Sequence, residues 1–460
     1  MPQSTAHLVE TIPQGLEHLA SAETRHTGRE LLRLVRAARD KIDLTAVYWN
    51  LLHHPESADE VGFSQAEIEA LGATTGRQLY EELLVAAARG VHIRILQSPG
   101  FLPEAESVAL VDAHPEHIQV RQVEMDAWYG GGVLHQKLWL FDRRHLYLGS
   151  ANMDWRSLSQ VKELGVIVEN DTDLTADLTA QFETWWQFAA LEPAPVPFAD
   201  PLVGRPRPLP CWSPLLPAGD RCPTPFTDTV LAPPTGLDGP LSVNWNGRQA
   251  TAFTTASPPA LCPPGRTYDL DALRHTIDQA RETVSLSVMH FAPMSEAPPP
   301  YPPGQSEDPP GDTSRLLWWP PLFNALLRAA ARGVHVRLLA SRWPHLPPAM
   351  IPHLRALANI AAAGARLDAG RLEVRLFAIP GWDSTSGPGR RYPGHSRVNH
   401  PKFLVTEQRL NLGTSNMAWG DFHWNGGISL NTGHPGVVRQ AQRIFDRDWH
   451  SHYASPVAPG

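Results

Sequence analysis

The sequence predicts an α/β protein made of two duplicated units, and three observations carry that expectation. The two halves repeat one another, each repeat alternates helix-period with strand-period segments, and a stretch dense in Pro and Gly lies between them. Length agrees, since 460 residues exceed what one hydrophobic core usually organises.

Four pairs of segments define the repeat. ARDKIDLTAVYW (38–49) matches ARETVSLSVMHF (280–291), each the end of an amphipathic helix running into an alternating strand. AAARGVHIRIL (86–96) matches AAARGVHVRLL (329–339), an alanine-rich helix, a Gly at its C-terminal cap and a β-branched strand. IQVRQV (118–123) matches LEVRLF (372–377), a further strand. LHQKLWLFDRRHLYLGSANM (134–153) matches NHPKFLVTEQRLNLGTSNM (399–417). Each half should therefore form a mixed or mostly parallel sheet covered by helices on both faces. The expected boundaries are 1–191 for the first unit, 192–247 for a long, mostly irregular connection, and 248–460 for the second unit. Two aperiodic insertions, 292–312 and 383–397, read as surface loops; the second ends beside His400, where it can shape the mouth of a site.

Composition narrows the function. The chain is 42% hydrophobic and 19% charged, as globular proteins are, and no apolar run approaches the ~18 residues of a membrane span, so no integral membrane segment is expected. A formal charge of −8 argues against coating duplex nucleic acid, which needs a basic surface. Met1 to Gln14 is polar, without a basic segment leading into an apolar one, and the expected location is cytoplasmic. Cys211, Cys222 and Cys262 are too few and too widely spaced for a zinc site or a disulfide scaffold. The only lysines are Lys41, Lys137, Lys162 and Lys402, every other basic side chain being Arg apart from His. Arg cannot replace a compact ammonium in a tight site, and two of the four lysines stand two residues after a histidine.

In both halves the His-x-Lys pair lies in an alternating segment, so His135 and Lys137, like His400 and Lys402, should project from one face. An acidic residue follows at equal spacing, Asp142 or Glu407. A second strand then ends in a polar turn, Gly149-Ser150-x-Asn152 or Gly413-Thr414-x-Asn416. These residue types suit a phosphodiester. A neutral imidazole can attack phosphorus and form a phosphohistidine, while a protonated imidazole serves the leaving oxygen. Two ammoniums with Asn and hydroxyl donors can hold the non-bridging oxygens, so the chemistry calls for no metal and no cofactor. A lone His-x-Lys among 21 histidines would mean little; two copies at matching places in a repeat point to one shared site.

These segments resemble the HxKx4D signature of the phospholipase D superfamily. LGSANMDWRSLSQVKELGV, PPALCPPGRT and VNHPKFLVTE with LGTSNM are similar to its mammalian lysosomal branch, across roughly Val9 to His452. The resemblance implies two phospholipase D-type α/β/α units packed as a pseudo-dimer, with the active site at their interface. It also implies 5′-exonuclease activity on single-stranded DNA and RNA, with a capacity for lipid transphosphatidylation. The second motif has Glu407 in place of Asp and one residue fewer before its Gly, a variation the lysosomal branch shares. Glu163 stands where the superfamily often carries a carboxylate bonded to a catalytic imidazole, whereas the second repeat has Gly427 there. By that analogy His135 is the expected nucleophile and His400 the general acid. The chain lacks most cysteines of that branch, and its richness in Arg, Ala and Pro looks more like a bacterial relative, so lysosomal residence is not expected to carry over.

The substrate is left between single-stranded nucleic acid, the first expectation, and a phospholipid headgroup, the alternative. A catalytically silent scaffold is disfavoured because both His-Lys pairs are intact. Arg390, Arg391 and Arg397 are placed to guide a strand, and Trp128, Tyr129 and Trp155 to stack on bases, although core or loop packing is the commoner fate of each. LLWWPPL (316–322) is explained by a Pro just inside a helix start.

Overall fold

The computed structural model describes residues 3–100, 104–200, 205–223, 234–294, 318–364, 371–387 and 389–457. Two mixed sheets repeat one strand order. The first runs Arg25–His26, Thr5–Thr11, Glu163–Glu169, His145–Gly149, Leu138–Phe141, Lys41–Ala46, His92–Gln97, Ile118–Gln122. The second runs Leu241–Trp245, Arg248–Ser257, Gly427–Thr432, Leu410–Gly413, Phe403–Thr406, Thr283–Val288, His335–Ser341, Leu372–Phe377, Ala454–Pro456. In each, the three strands joined through helices pair in parallel and the motif-bearing hairpin pairs antiparallel, as connection lengths require.

Burial on both faces explains why these strands read as nearly continuous apolar runs. Leu138 and Leu140 enter a central core and Trp139 and Phe141 an outer one; Leu146 and Leu148 alternate with Tyr147 in the same way. The central core fuses the halves. It joins Leu148 and Val166 of the first sheet to Leu412 and Ile428 of the second, with Trp185 from helix Thr172–Phe188 and Phe445 from helix Pro435–His450 packed between. Outside, helices Thr27–Ala37 and Thr74–Ala88 cover one sheet, and Asp269–Gln279 and Pro321–Ala331 the other. Local chemistry sets the ends: Asp171 accepts the Leu174 N–H at a helix start, and Gly90 and Gly333 take left-handed φ of 91° and 95° just past helix ends.

Four expectations change here. The 192–247 connection is more ordered than its composition suggests. Pro195–Asp200 pairs with Arg205–Pro210, with Pro195 opposite Pro210 and Pro197 opposite Pro208, so the missing N–H groups fall on one alternate set of pairs. Leu241–Trp245 already belongs to the second sheet. Cys211 and Cys222, eleven residues apart, form a disulfide, leaving Cys262 as the free thiol among the described residues. The 383–397 insertion clasps the first half: Arg390 donates to the Ala58 and Val61 carbonyls, and buried Arg397 to the Gln14 carbonyl and Gln160 Oε1. These guanidiniums are therefore committed to joining the halves, not to guiding a substrate; the Arg391 backbone bonds the Ser384 carbonyl. Trp128, Tyr129 and Trp155 are at most 3% exposed and belong to cores. Most of 292–312 lies outside the described residues. Pro321 does open the helix after Trp318 and Trp319. No helix among the described residues is long and apolar enough to cross a membrane.

Candidate active site

Each motif histidine is anchored by the opposite half. The His135 N–H donates to the Gly426 carbonyl at 2.9 Å, and the Gly426 N–H donates back to Val133. The His400 N–H donates to Lys162, also at 2.9 Å, and the Lys162 N–H to Val398. Each motif thus enters its own sheet by first pairing, as a short parallel bridge, with the partner half. His135 and Lys137 precede the regular strand Leu138–Phe141, and His400 and Lys402 precede Phe403–Thr406, so the pairs lie in extended segments just outside the ladders.

The crossing brings both imidazoles to one cavity of about 400 Å³, together with Asn152, Asn416, Glu163 and Asp421. Lys137 and Lys402 are buried, their Nζ atoms donating to the His135 and His400 carbonyls at 2.9 and 2.8 Å. His400 Nδ1 is 2.9 and 3.0 Å from the two Glu163 oxygens, and Ser150 Oγ donates to Glu163 at 2.5 Å. Lys162, beside Glu163 in the chain, pairs instead with buried Asp448 at 2.6 Å.

The electrostatics separate the two rings. Burial, then the ammoniums of Lys137 and Lys402, push His135 well below the usual imidazole value, keeping it neutral. Burial also lowers His400, but the Glu163 carboxylate opposes the fall. Burial alone would raise Glu163; His400 and Lys402 outweigh it and hold the carboxyl below its ordinary value. Burial brings Lys402 down to about 8 despite Glu163 and Asp421, and burial with the Lys402 charge lowers Lys137 further.

Several sequence-predicted residues sit elsewhere. Asp142 and Glu407 stand at the far ends of strands leading away from the histidines, about 23 Å of extended chain from His135 in the first case. Asp142 accepts the N–H groups of Arg39, Asp40 and Lys41, and Glu407 those of Arg281 and Thr283. Both fasten the turn before a neighbouring strand and take no part in the cavity. Ser150 and Thr414 are likewise withdrawn: the Thr414 hydroxyl exchanges bonds with the Ile428 backbone, and Ser150 supports Glu163 from behind. Gly149 is required by packing, because a Cβ there would meet Tyr147 Oη at 2.5 Å and Gly165 Cα at 2.6 Å; Gly413 is crowded in the same way by Ser429 and Ile428.

Asp421, Tyr48 and His290 are among the cavity residues that escaped the sequence reading. Asp421, on the five-residue helix Trp419–His423, brings Oδ1 to 3.5 Å from His135 Nδ1 and accepts the Asn416 N–H. It supplies a carboxylate to His135 where Gly427 cannot. Tyr48 and His290, at matching positions of the repeat, also line the cavity, and Tyr48 links Asn152 to Asp154 through its hydroxyl. Burial, then Asp154, raises that phenol well above its ordinary value, so it remains protonated.

Two duplicated α/β units presenting one histidine each to a shared cavity, over buried lysines, define a phosphodiesterase of the paired His-x-Lys type. The chain belongs to the phospholipase D superfamily, in the branch of the proteins called PLD3 and PLD4. Residues 31–186 match the family described as cardiolipin synthase, PLD-like domain, and residues 224–382 the one described as PLD3/4, PLD-like domain. The chain is 35% identical to the 5′-3′ exonuclease PLD3 of Bos taurus over 98% of its own length and 80% of the relative's. It is 33% identical to the 5′-3′ exonuclease PLD4 of Mus musculus over 97% and 78%, and 30% identical to a probable phospholipase D of Caenorhabditis elegans over 98% and 70%. Among solved structures, the phosphatidylserine synthase of Haemophilus influenzae Rd KW20 shares the fold, with a TM-score of 0.53 at 12% identity over 93% of this chain and 85% of that one.

The expected cytoplasmic location does not stand. Similarity across nearly the whole chain is to the exonucleases of the lysosomal branch, and a reducing cytosol disfavours the Cys211–Cys222 disulfide.

Proposed function

We propose that the protein is a 5′-to-3′ exonuclease on single-stranded DNA or RNA, working through a phosphohistidine. The observation carrying the mechanism is that His135 and His400, each fixed by a backbone bond to the opposite half, line one cavity in unlike electrostatic settings. Neutral His135 attacks phosphorus through Nε2, with Asp421 near its Nδ1 to balance the charge that develops on the ring. The bond from phosphorus to the leaving oxygen breaks, and that oxygen takes the proton of His400, whose other nitrogen is held by Glu163. His400, now neutral, removes a proton from water; the hydroxide displaces His135 and frees the phosphorylated product. Lys137, Lys402, Asn152 and Asn416 supply positive charge and donors for the non-bridging oxygens throughout. The choice of nucleic acid rests on the PLD3 and PLD4 relatives, which match this chain from end to end under the name 5′-3′ exonuclease.

The test presents purified enzyme, in EDTA, with 5′-hydroxyl single-stranded DNA and separately with phosphatidylcholine vesicles and a primary alcohol. Mononucleotide release at a constant rate in chelator is the expected result. Phosphatidyl-alcohol formation without nucleotide release would replace the nuclease with a phospholipase.

A further inference from the structure

The cavity has a rim that the chemistry above leaves unused. His345 and His395 stack with centroids 4.4 Å apart and planes inclined by 11°, and Trp343 meets His345 at 4.8 Å and His395 at 6.0 Å, nearly edge-on to both. Trp343 and His395 line the catalytic cavity, and His395 also borders a second cavity of about 410 Å³ that shares Tyr48 with the first. The rings are open to solvent where core aromatics are not: His345 and His395 are exposed and Trp343 is only partly covered. Ordinary packing gives no reason to keep three rings clustered at a wet surface.

His395 is also held in place. Its Nδ1 lies 2.9 and 3.0 Å from the Asp59 oxygens, and Asp59 is fixed by Arg156 Nη1 at 2.7 Å, an anchor belonging to the other half. The backbone of His395 takes a left-handed φ of 54°, uncommon for a side-chain-bearing residue, and the Gly394 N–H bonds the Asp59 carbonyl. A ring fixed in orientation beside a site for phosphodiesters can receive a flat partner without being ordered first.

We propose that Trp343, His345 and His395 form a base-stacking subsite, which takes the nucleobase of a nucleotide flanking the scissile phosphate. This rests on the nuclease reading above and adds how that substrate is gripped. Stacking suits an exonuclease that must accept every base, because each base has a π-face while hydrogen-bond patterns differ. A lipid headgroup offers no such face.

The experiment measures kcat/KM on a single-stranded oligonucleotide and on versions abasic on one or the other side of the scissile phosphate. Wild type is compared with Trp343→Ala, Trp343→Phe and His345→Ala, each matched to wild type by thermal melting. Wild type should prefer the natural strand over one of the abasic strands by about 10- to 100-fold, mainly through KM. The alanine variants should collapse that preference by about tenfold, and Trp343→Phe should restore it. A merely structural role would slow all substrates alike and leave the preference intact, which would overturn the subsite while sparing the exonuclease. If wild type turned over phospholipid and left every oligonucleotide whole, the nuclease reading would fail first and the subsite with it.

Discussion

Replacing Glu163 with Gln removes the negative charge from the His400 pair while keeping an oxygen that can accept the Nδ1–H bond. Glu163 is completely buried and both its oxygens lie within 3.0 Å of His400 Nδ1, so water cannot take over its role. Two unit charges about 4 Å apart interact by about 4 kcal/mol at an effective dielectric near 20, equivalent to about 3 pKa units. Retention of the amide dipole reduces this, and a fall of about 1–3 units in the His400 value is expected. The sign follows from its role: His400 must be protonated to serve the leaving oxygen, so the rate is lost as pH rises through its pKa, already below the usual 6.5. His135 must be neutral, and its still lower value places the acidic limb further down. Wild type should therefore be fastest below about pH 6.5. The variant's alkaline limb should move down by about 1–3 units, with kcat at the wild-type optimum reduced by about 10- to 1000-fold. A pH profile of kcat for oligonucleotide cleavage reads this directly. A Glu163→Gln enzyme with the wild-type profile would show that the carboxylate does not tune His400.

Other perturbations separate the cavity from its supports. His135→Asn and His400→Asn should each reduce turnover below about one per cent in steady-state assays, because the two rings act in one reaction; partial activity in either would mean independent sites. Asp421→Asn should lower kcat by about tenfold, less than Glu163→Gln, since its contact to His135 is 3.5 Å; an unchanged kcat would return Asp421 to a purely structural part. Asp142→Asn should cost about 1–3 kcal/mol in urea unfolding with kcat unaltered, as it loses charge-assisted bonds from three backbone N–H groups. A large kcat loss at unchanged stability would put Asp142 back in the chemistry.

What the sequence made legible follows from repetition and period. The strands around both motifs were readable because each alternates between two apolar faces, and the duplication located His135, Lys137, His400 and Lys402 together. Glu163 was reachable because its strand position has a defined counterpart, Gly427. That same missing carboxylate was the available hint that His135 needs an acceptor from elsewhere. Asp421 itself was hidden on a short helix with no periodic signal, and its counterpart in the repeat is Ser157 and not a carboxylate. Neighbourhood in sequence misled for Asp142, Glu407, Ser150 and Thr414: a strand carries its ends far apart, and a hydroxyl beside an active asparagine can face the next strand. The Cys211–Cys222 bond and the ring cluster of Trp343, His345 and His395 depend on chain paths that spacing does not reveal.

Trapping the covalent intermediate tests most directly whether the two histidines share one phosphate. Wild-type enzyme mixed with single-stranded substrate and quenched during turnover should carry the nucleotidyl adduct on the peptide containing His135, seen by mass spectrometry, while His135→Asn enzyme carries none. An adduct on His400 in the His135→Asn enzyme, or adducts formed independently on both rings, would contradict a single site with divided roles.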